Sequence, residues 1–282
     1  MDKTHQPEGL KFITPEEASI RWLKSFDAKS DRRRYFKSGF NSHDKAVGAF
    51  LRGGLYLIAA RPGIGKTALL FSFAYHQILA GVKAFYCNLE MSCEQMWNRL
   101  ACIHDPGITL RELNEGELTR ELTARLMTFS QELVNFSPLF FESTDLTALV
   151  KAAKENIARS SGSVLFVDYV GLFTMKGLGP QERYWLISEC AKGLKLLARD
   201  LDIPIIAAVQ LNRAIENRTN KTPTMADLRD SGELENHADA VFALTRDAKD
   251  TLDVDGLKNR HGPLASYSLR FDGPRAAVEE FQ

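Results

Sequence analysis

A run of apolar residues, Leu55-Tyr-Leu-Ile-Ala-Ala60, passes without a break into Arg61-Pro-Gly-Ile-Gly-Lys-Thr67 and then into a helical pattern reaching Ala80. A buried strand, a glycine-containing loop and a helix, in that order, are the context that a phosphate-binding loop requires. Gly63 and Gly65 let the backbone fold around phosphates, and the first turn of the helix turns its N–H groups toward the anion. In the segment Arg61, Pro62, Gly63, Ile64, Gly65, Lys66, Thr67 and Ala68, the Lys66 ammonium reaches the outer phosphates and the Thr67 hydroxyl supplies a ligand for Mg2+. The ligand implied is a nucleotide with Mg2+. Ala60 departs from the strict G-x-x-x-x-G-K-T pattern, which has glycine at that position.

Further apolar runs recur at Ala84 to Leu89, Leu139 to Phe141, Val164 to Val167, Ile205 to Val209 and Val241 to Leu244, with helical patterns between them. Strands alternating with helices predict an α/β fold, a mostly parallel twisted sheet with helices on both faces. Two helices are legible from spacing. Leu146, Leu149, Val150, Ala153 and Ile157 form one stripe after Asp145 as N-cap, and Ile187, Cys190, Leu194, Leu197, Ala198 and Leu201 form another ahead of Ile205. Residues 1–45 differ: one helix from Pro15 to Phe26, with Ile20, Trp22, Leu23 and Phe26 as its apolar contacts, then the charged run Lys29-Ser-Asp-Arg-Arg-Arg34. A single helix makes a poor core, so this N-terminal helical segment is expected to pack on something else, and the main domain to span 46–282. Past Leu244 the chain turns polar from Asp247 to Asp255, and the alternating run Leu264 to Phe271 predicts a closing hairpin strand.

Charge restricts the partners. The 36 basic residues cancel 36 acidic ones, so a polyanion has to be met by positive charge gathered locally, in a groove or at an oligomer's pore. No stretch reaches the roughly 18 to 20 apolar residues that span a membrane. Cys87, Cys93, Cys102 and Cys190 show neither metal-ligand spacing nor a disulfide framework. A reducing, cytoplasmic setting with no membrane contact is the expectation.

Hydrolysis of a nucleotide needs an acid that supports the metal and a group that polarises water. Val164-Leu-Phe-Val-Asp168 is an apolar strand ending in an acid, the arrangement that holds a Mg2+-bound water. Glu90 ends another run, Phe85-Tyr-Cys-Asn-Leu-Glu90, and parallel strands bring it to the same carboxyl edge, which makes it the general-base candidate. Gln210 closes the strand from Ile205 and meets that edge too. A neutral amide there can sense the terminal phosphate and pass its state to the following loop.

Six segments, Ala60-Arg-Pro-Gly-Ile-Gly-Lys-Thr67, Asn88-Leu-Glu-Met-Ser92, Val167-Asp-Tyr169, Gln210-Leu-Asn-Arg213, Asp227-Leu-Arg-Asp-Ser-Gly232 and Lys258-Asn-Arg-His-Gly-Pro263, stand in the order in which the hexameric DnaB-type replicative helicases carry theirs. From about Gly39 to Phe271 the chain resembles the RecA-like motor domain of that family. The resemblance implies a RecA-like P-loop NTPase fold. It also implies a ring, a homo-hexamer, that hydrolyses ATP, translocates 5′ to 3′ on single-stranded DNA and unwinds duplex DNA during replication. By position it makes Lys66 and Thr67 the nucleotide and metal contacts, Glu90 the catalytic base, Asp168 the Walker B acid and Gln210 the coupling residue. Lys258 and Arg260 match the pair that such helicases insert into the neighbouring subunit's site, with Arg260 as the arginine finger. The residues by themselves leave Arg213, Arg218, Arg229 and Arg246 equally available for that role. The loop from Asp227 to Glu233 resembles the family's pore loop, with Arg229, Asp230 and Gly232 as DNA contacts, although the family usually has Glu where Asp230 stands. Without the family, Asp227 reads as the N-cap of a helix. A helicase loader and a primase are the protein partners implied.

Two features depart from the family pattern. Bacterial members carry a collar domain ahead of the motor, and the 45 residues preceding it here lead to the expectation of a motor without one, its first helix standing for the family's linker helix. A motor of this size also resembles a phage or mobile-element protein. Leu252-Asp-Val-Asp-Gly256 puts acids and a glycine where an apolar strand should precede Lys258, so the finger hairpin is expected to be short or mobile. Two other functions fit these departures: a collarless paralogue that binds and modulates a host helicase or its loader, and a RecA-like recombination ATPase.

Overall fold

The computed structural model describes residues 14–24, 35–116, 119–132, 136–137, 144–157, 162–175, 183–219, 221–228 and 231–281. The chain divides into two units, Met1–Arg34 and Tyr35–Gln282. In the first, helix α1 (Pro15–Lys24) opens with Glu16 and Glu17, whose charges suit the positive end of a helix. Its Ile20 and Leu23 are exposed. Phe26, the run Lys29 to Arg34 and the Trp22 side chain lie outside the described residues.

The larger unit starts ahead of the expected boundary at 45/46. Strands β1 (Tyr35–Phe36) and β2 (Phe50–Leu51) pair antiparallel, with helix α2 (Asn41–Ala46) between them in the chain. Phe36, Phe40 and Phe50 are buried in the main core, Phe40 and Phe50 with ring centroids 5.6 and 5.4 Å from Phe73. Burial of each such ring contributes about 1.5–3 kcal/mol, which ties residues 35–45 to the larger unit rather than to the N-terminal segment.

His43 sits in the same cluster among Phe50, Phe73, Phe242 and Tyr267, with Nδ1 2.5 Å from the Tyr267 hydroxyl. Burial pushes its imidazole down to about 3, so it stays neutral in the folded chain, whereas the unfolded chain takes up this proton below about pH 6.5. The folded state therefore loses stability as pH falls from about 6.5 toward 3, at about 1.4 kcal/mol per unit. Denaturant titrations of the protein and a His43→Phe variant at about pH 5.5 and 4 should differ in slope by one proton. Equal slopes would contradict the assignment.

The remaining elements run as β3 (Leu55–Ala60), α3 (Lys66–Leu79), β4 (Lys83–Asn88), α4 (Cys93–His104), α5 (Leu110–Glu115), α6 (Arg120–Glu132) and β5 (Phe136–Ser137). They continue as α7 (Leu146–Ile157), β6 (Ser163–Asp168), α8 (Arg183–Leu201), β7 (Ile205–Gln210), α9 (Ser231–His237), β8 (Ala240–Arg246), β9 (Thr251–Asn259), β10 (Ser266–Asp272) and β11 (Ala277–Glu279). Nine strands form one sheet in the order β11-β10-β9-β8-β3-β7-β6-β4-β5. Pairing is parallel from β8 through to β5 and antiparallel from β8 outward to β11.

The expected mostly parallel α/β sheet is therefore observed, and β3 shows why its sequence is apolar throughout. Tyr56, Ile58 and Ala60 enter the core shared with α3 and α4, while Leu55, Leu57 and Ala59 enter the one shared with α7 and α8. Both helices predicted from spacing are present as α7 and α8, and Asp145 Oδ1 accepts the Thr147 N–H at 2.8 Å at the start of α7. The strand expected at Leu139 to Phe141 lies outside the described residues, and β5 is found just before it.

Two expectations about the C-terminal part are corrected. The polar stretch to Asp255 is mostly strand: β9 is nine residues long and pairs with both β8 and β10, so the finger hairpin is not short. Period-two alternation overrides the acids. Leu252 and Val254 are buried, while Asp253 and Asp255 accept hydrogen bonds from the Ser268 and Ser266 hydroxyls at 2.5 and 2.6 Å. Gly256 admits a close crossing, since a Cβ there would lie 2.8 Å from the Ala265 carbonyl oxygen. The closing hairpin also gains a strand, β11, that alternation did not predict. No described helix is long and apolar enough to cross a membrane.

Candidate active site

The phosphate-binding geometry starts from strand pairing. Ala60 pairs with Gln210 on one side and Leu244 on the other, and it is fully buried in extended backbone. A strand residue needs none of glycine's freedom, so the departure at Ala60 costs the loop nothing. Freedom is needed later, where Gly63 and Gly65 have φ of 79° and 125°. Gly65 caps α3, and a Cβ on it would come within 3.1 Å of the Phe271 ring. The first turn of α3 contains no acid, so its orphan N–H groups and the positive end of its dipole are left for an anion.

A cavity of about 430 Å³ opens at this turn. Arg61, Pro62, Gly63, Gly65, Lys66, Thr67 and Ala68 line it, whereas Ile64 packs against the main core. Glu90 and Gln210 stand in the wall. Burial pushes the Lys66 ammonium below its ordinary value, and Asp168 and Glu90 act against that shift. Its Nζ lies 4.7 Å from the Tyr169 ring centroid.

The acids reach this edge through parallel register. Asn88 of β4 pairs with Asp168 of β6, and the Leu89 N–H donates to the Asp168 carbonyl at 2.9 Å. Asn88 then builds the turn that carries Glu90: its Oδ1 accepts the Glu90 and Met91 N–H groups at 3.2 Å each, and its Nδ2 donates to the Met91 carbonyl at 2.6 Å. Ser92 closes the turn as the N-cap of α4, in a capping box with Gln95. The Glu90 carboxylate is left exposed to the cavity. Asp168 is 1% exposed. Its Oδ2 accepts the Tyr86 hydroxyl at 3.3 Å, and its Oδ1, although buried, has no partner among the described residues. A buried acceptor of that kind at the edge of a phosphate cavity suits water on a hydrated cation.

Gln210 connects the cavity to a second region. The residues after it are bonded to the stretch that precedes α9: Leu211 bridges Leu228, and the Asn212 N–H donates to the Asp227 carbonyl at 2.7 Å. Asp227 does not cap α9. Its Oδ2 accepts from the Thr224 N–H and hydroxyl, both at 2.8 Å, and from Arg218 at 2.5 Å, which fixes the turn before the loop. Arg229 and Asp230 lie outside the described residues, and Gly232 falls in the first turn of α9.

Lys258 and Arg260 are not brought to this cavity. Val241 pairs with Lys258 and Ala240 with Asn259, beside Leu57 and Tyr56 of β3, so the pair lies at the amino edge of the parallel strands. The Lys258 ammonium donates to the Glu235 carbonyl, and the Arg260 guanidinium to the Asn236 carbonyl at 2.6 Å, both in the last turn of α9.

Arg99, Tyr169, Phe271 and Ala276 also line the cavity and were not assigned there from sequence. Arg246 stacks on the Phe271 ring, 4.1 Å from its centroid, and donates to the Gly63 carbonyl at 3.0 Å. Arg99 stands nine residues past Glu90 on α4, a spacing that helix geometry would bring back toward the edge. Phe271 arrives from β10, far along the chain, and only topology reveals it.

The sequence pattern described as DnaB-like helicase C terminal domain matches residues 36–280. The chain is 32% identical over 248 residues to the replicative DNA helicase DnaB of Geobacillus stearothermophilus, covering 83% of this chain and 54% of that protein. It is 34% identical over 215 residues to the replicative DNA helicase DnaB of Helicobacter pylori, covering 74% and 43% respectively. The chain thus spans about half the length of the curated relatives it matches. Among solved structures, an isolated ATPase domain superposes with a TM-score of 0.85 at 24% identity, over 96% of this chain and 100% of that one. A DnaB-like replicative helicase studied for its interactions with primase superposes with a TM-score of 0.81 at 25% identity, over 96% and 68%.

Proposed function

This chain belongs to the DnaB-like helicase family, and on that premise we propose that its larger unit is the ATP-hydrolysing motor of a ring-shaped replicative helicase. It binds ATP with Mg2+, assembles as a homo-hexamer, moves 5′ to 3′ along single-stranded DNA and separates the duplex ahead of it. A helicase loader and a primase are its partners. The observation that carries this reading is the division of chemistry between two edges of one sheet: Lys66, Glu90 and Gln210 line one cavity, with Asp168 buried at the strand end beside it, and Lys258 and Arg260 stand at the opposite edge. A nucleotide site of that kind is completed by a neighbouring subunit.

In this mechanism the N–H groups opening α3 and the Lys66 ammonium bind the phosphates, and Arg99 adds a second cation from the opposite wall. The Thr67 hydroxyl would hold Mg2+ and Asp168 Oδ1 a water on it, and the ion would supply charge neutralisation at the phosphate oxygens. Glu90 accepts the proton of the attacking water at its carboxylate. Gln210 contacts the terminal phosphate. Its strand end is bonded to Asp227 and Leu228, so a shift there is passed to the loop that grips DNA through Arg229, Asp230 and Gly232. Arg260 and Lys258 of the next subunit stabilise charge on the transferring phosphoryl group.

The test is steady-state ATP turnover across protein concentrations, with and without single-stranded DNA, beside strand displacement from a forked duplex. Turnover that rises with both DNA and concentration, together with displacement, is the expected result. Hydrolysis that never displaces a strand would sink the helicase reading. Arg229→Ala is expected to weaken single-stranded DNA binding and to lower the salt slope by about one counterion. Unchanged affinity and slope in a salt titration would remove that loop from the mechanism.

A further inference from the structure

Asp239 stands immediately before β8, 3% exposed, at the amino edge of the sheet. Its backbone belongs to the rim there: the N–H donates to the Leu55 carbonyl at 2.8 Å, and its carbonyl accepts the Arg260 N–H at 2.8 Å. The side chain gives its two oxygens different work. Oδ2 accepts the Leu55 N–H at 2.8 Å and the Lys195 ammonium at 2.6 Å. Oδ1 faces the Arg260 guanidinium at 3.7 Å and His261 Nε2 at 3.6 Å. Burial alone would raise this carboxyl, and Lys195, the Leu55 N–H and His261 together bring it below its ordinary value. It is a fixed negative charge beside the Lys195 ammonium and the Arg260 guanidinium.

We propose that Asp239 is the positioning residue of the finger: Oδ2 anchors it to the first residue of the P-loop strand, and Oδ1 with its carbonyl aims Arg260 outward from the rim. The idea rests on Arg260 acting in a neighbouring subunit's site. The geometry suits aiming rather than trapping. At 3.7 Å, with Arg260 45% exposed, the ion pair is a weak one that a phosphate can replace. The backbone bond from the Arg260 N–H survives that exchange, so the guanidinium leaves from a fixed root. Asp239 also acts against the mutual repulsion of Lys258 and Arg260: burial and then the Arg260 charge pull the Lys258 ammonium down, and Glu235 and then Asp239 oppose both. Lacking this carboxylate, the guanidinium would keep only its bond to the Asn236 carbonyl at 2.6 Å, and the finger would sample more rotamers before each encounter, at an entropic cost to the transition state.

Asp239→Ala and Asp239→Asn are expected to lower DNA-stimulated ATP turnover on the order of 10- to 100-fold. Wild-type turnover in both would overturn the proposal. Mixing locates the defect. A Lys66→Ala subunit lacks a working nucleotide site but keeps its finger, whereas an Asp239 variant subunit keeps its nucleotide site. If Asp239 serves the finger, an equal mixture of these two nearly inactive proteins regains turnover, because the finger of one completes the site of the other. If Asp239 merely supports its own P-loop strand, the mixture stays inactive and the proposal falls. Arg260→Ala mixed with Lys66→Ala is run in parallel. Recovery there without recovery for Asp239 overturns the positioning role alone, and recovery in neither mixture removes the finger reading and this proposal with it. Where Asp239→Ala fails to fold, Asp239→Asn keeps an oxygen for the Leu55 N–H and carries the same readout.

Discussion

Lys66→Ala is expected to lower ATP turnover by about 10²- to 10³-fold and to weaken nucleotide binding as well. The size of the effect follows from where the ammonium sits. Burial disfavours its charge, and Asp168 and Glu90 offset part of that effect. A triphosphate entering the cavity adds negative charge that favours the ammonium form further. Without Lys66 the two acids face the phosphates with Arg99 and Arg61 as the remaining cations in the lining, and the Arg61 guanidinium is already engaged by Glu216 and the Leu211 carbonyl. Both the ground state and the transition state lose an attraction in a partly desolvated site. A thermal melt of the variant checks that the fold survives loss of the contact with the Tyr169 ring. Turnover assays and calorimetry with a non-hydrolysable ATP analogue check both halves. Parent-level turnover would take the P-loop out of the mechanism.

The cavity was legible where local rules decide. A strand followed by Gly63 and Gly65 and a helix without early acids specifies an anion site from contiguous residues. Glu90, Asp168 and Gln210 were legible at one remove, because parallel strands place their carboxyl ends on one edge. Residues that arrive through side-chain direction were not. Arg99 looks like any solvated arginine on a helix until α4 is laid over the cavity, and Phe271 reaches Gly65 only because β10 was added to the sheet after two antiparallel turns of chain. The misreading of β9 has a related cause. Acids and a glycine count as loop signals one by one, yet Leu252 and Val254 alternating with Asp253 and Asp255 satisfy a strand that is buried on one face only. Residues 35–45 were assigned to the N-terminal segment because Phe36, Phe40 and Phe50 are too sparse to suggest a core before their partner, Phe73 on α3, is known.

Arg260→Ala should separate binding from turnover more sharply than any other change, with a loss of about 10³- to 10⁵-fold in hydrolysis and ATP affinity almost unaltered. The parallel strands carry the argument. Tyr56 pairs with Ala240, which pairs with Asn259, and Ala60 closes the same strand at the cavity. Four residue steps at roughly 3.3 Å each put Arg260 about 13 Å or more from the P-loop of its own chain. It cannot help its own subunit hold nucleotide, so its removal leaves the ground-state site intact. A neighbour's finger meets the phosphoryl group as charge develops, which is why the loss appears in turnover. The ion pair with Asp239 at 3.7 Å contributes about 0–1 kcal/mol and the bond to the Asn236 carbonyl at 2.6 Å about 1.5–3 kcal/mol, so a thermal melt of the variant separates lost stability from lost turnover. The parent's turnover per subunit should therefore rise with protein concentration as neighbours meet, and that of Arg260→Ala should stay flat at the level of isolated subunits. If Arg260→Ala weakened ATP binding as much as Lys66→Ala does, the residue would belong to its own subunit's chemistry, and the two-edge division of labour would have to be abandoned.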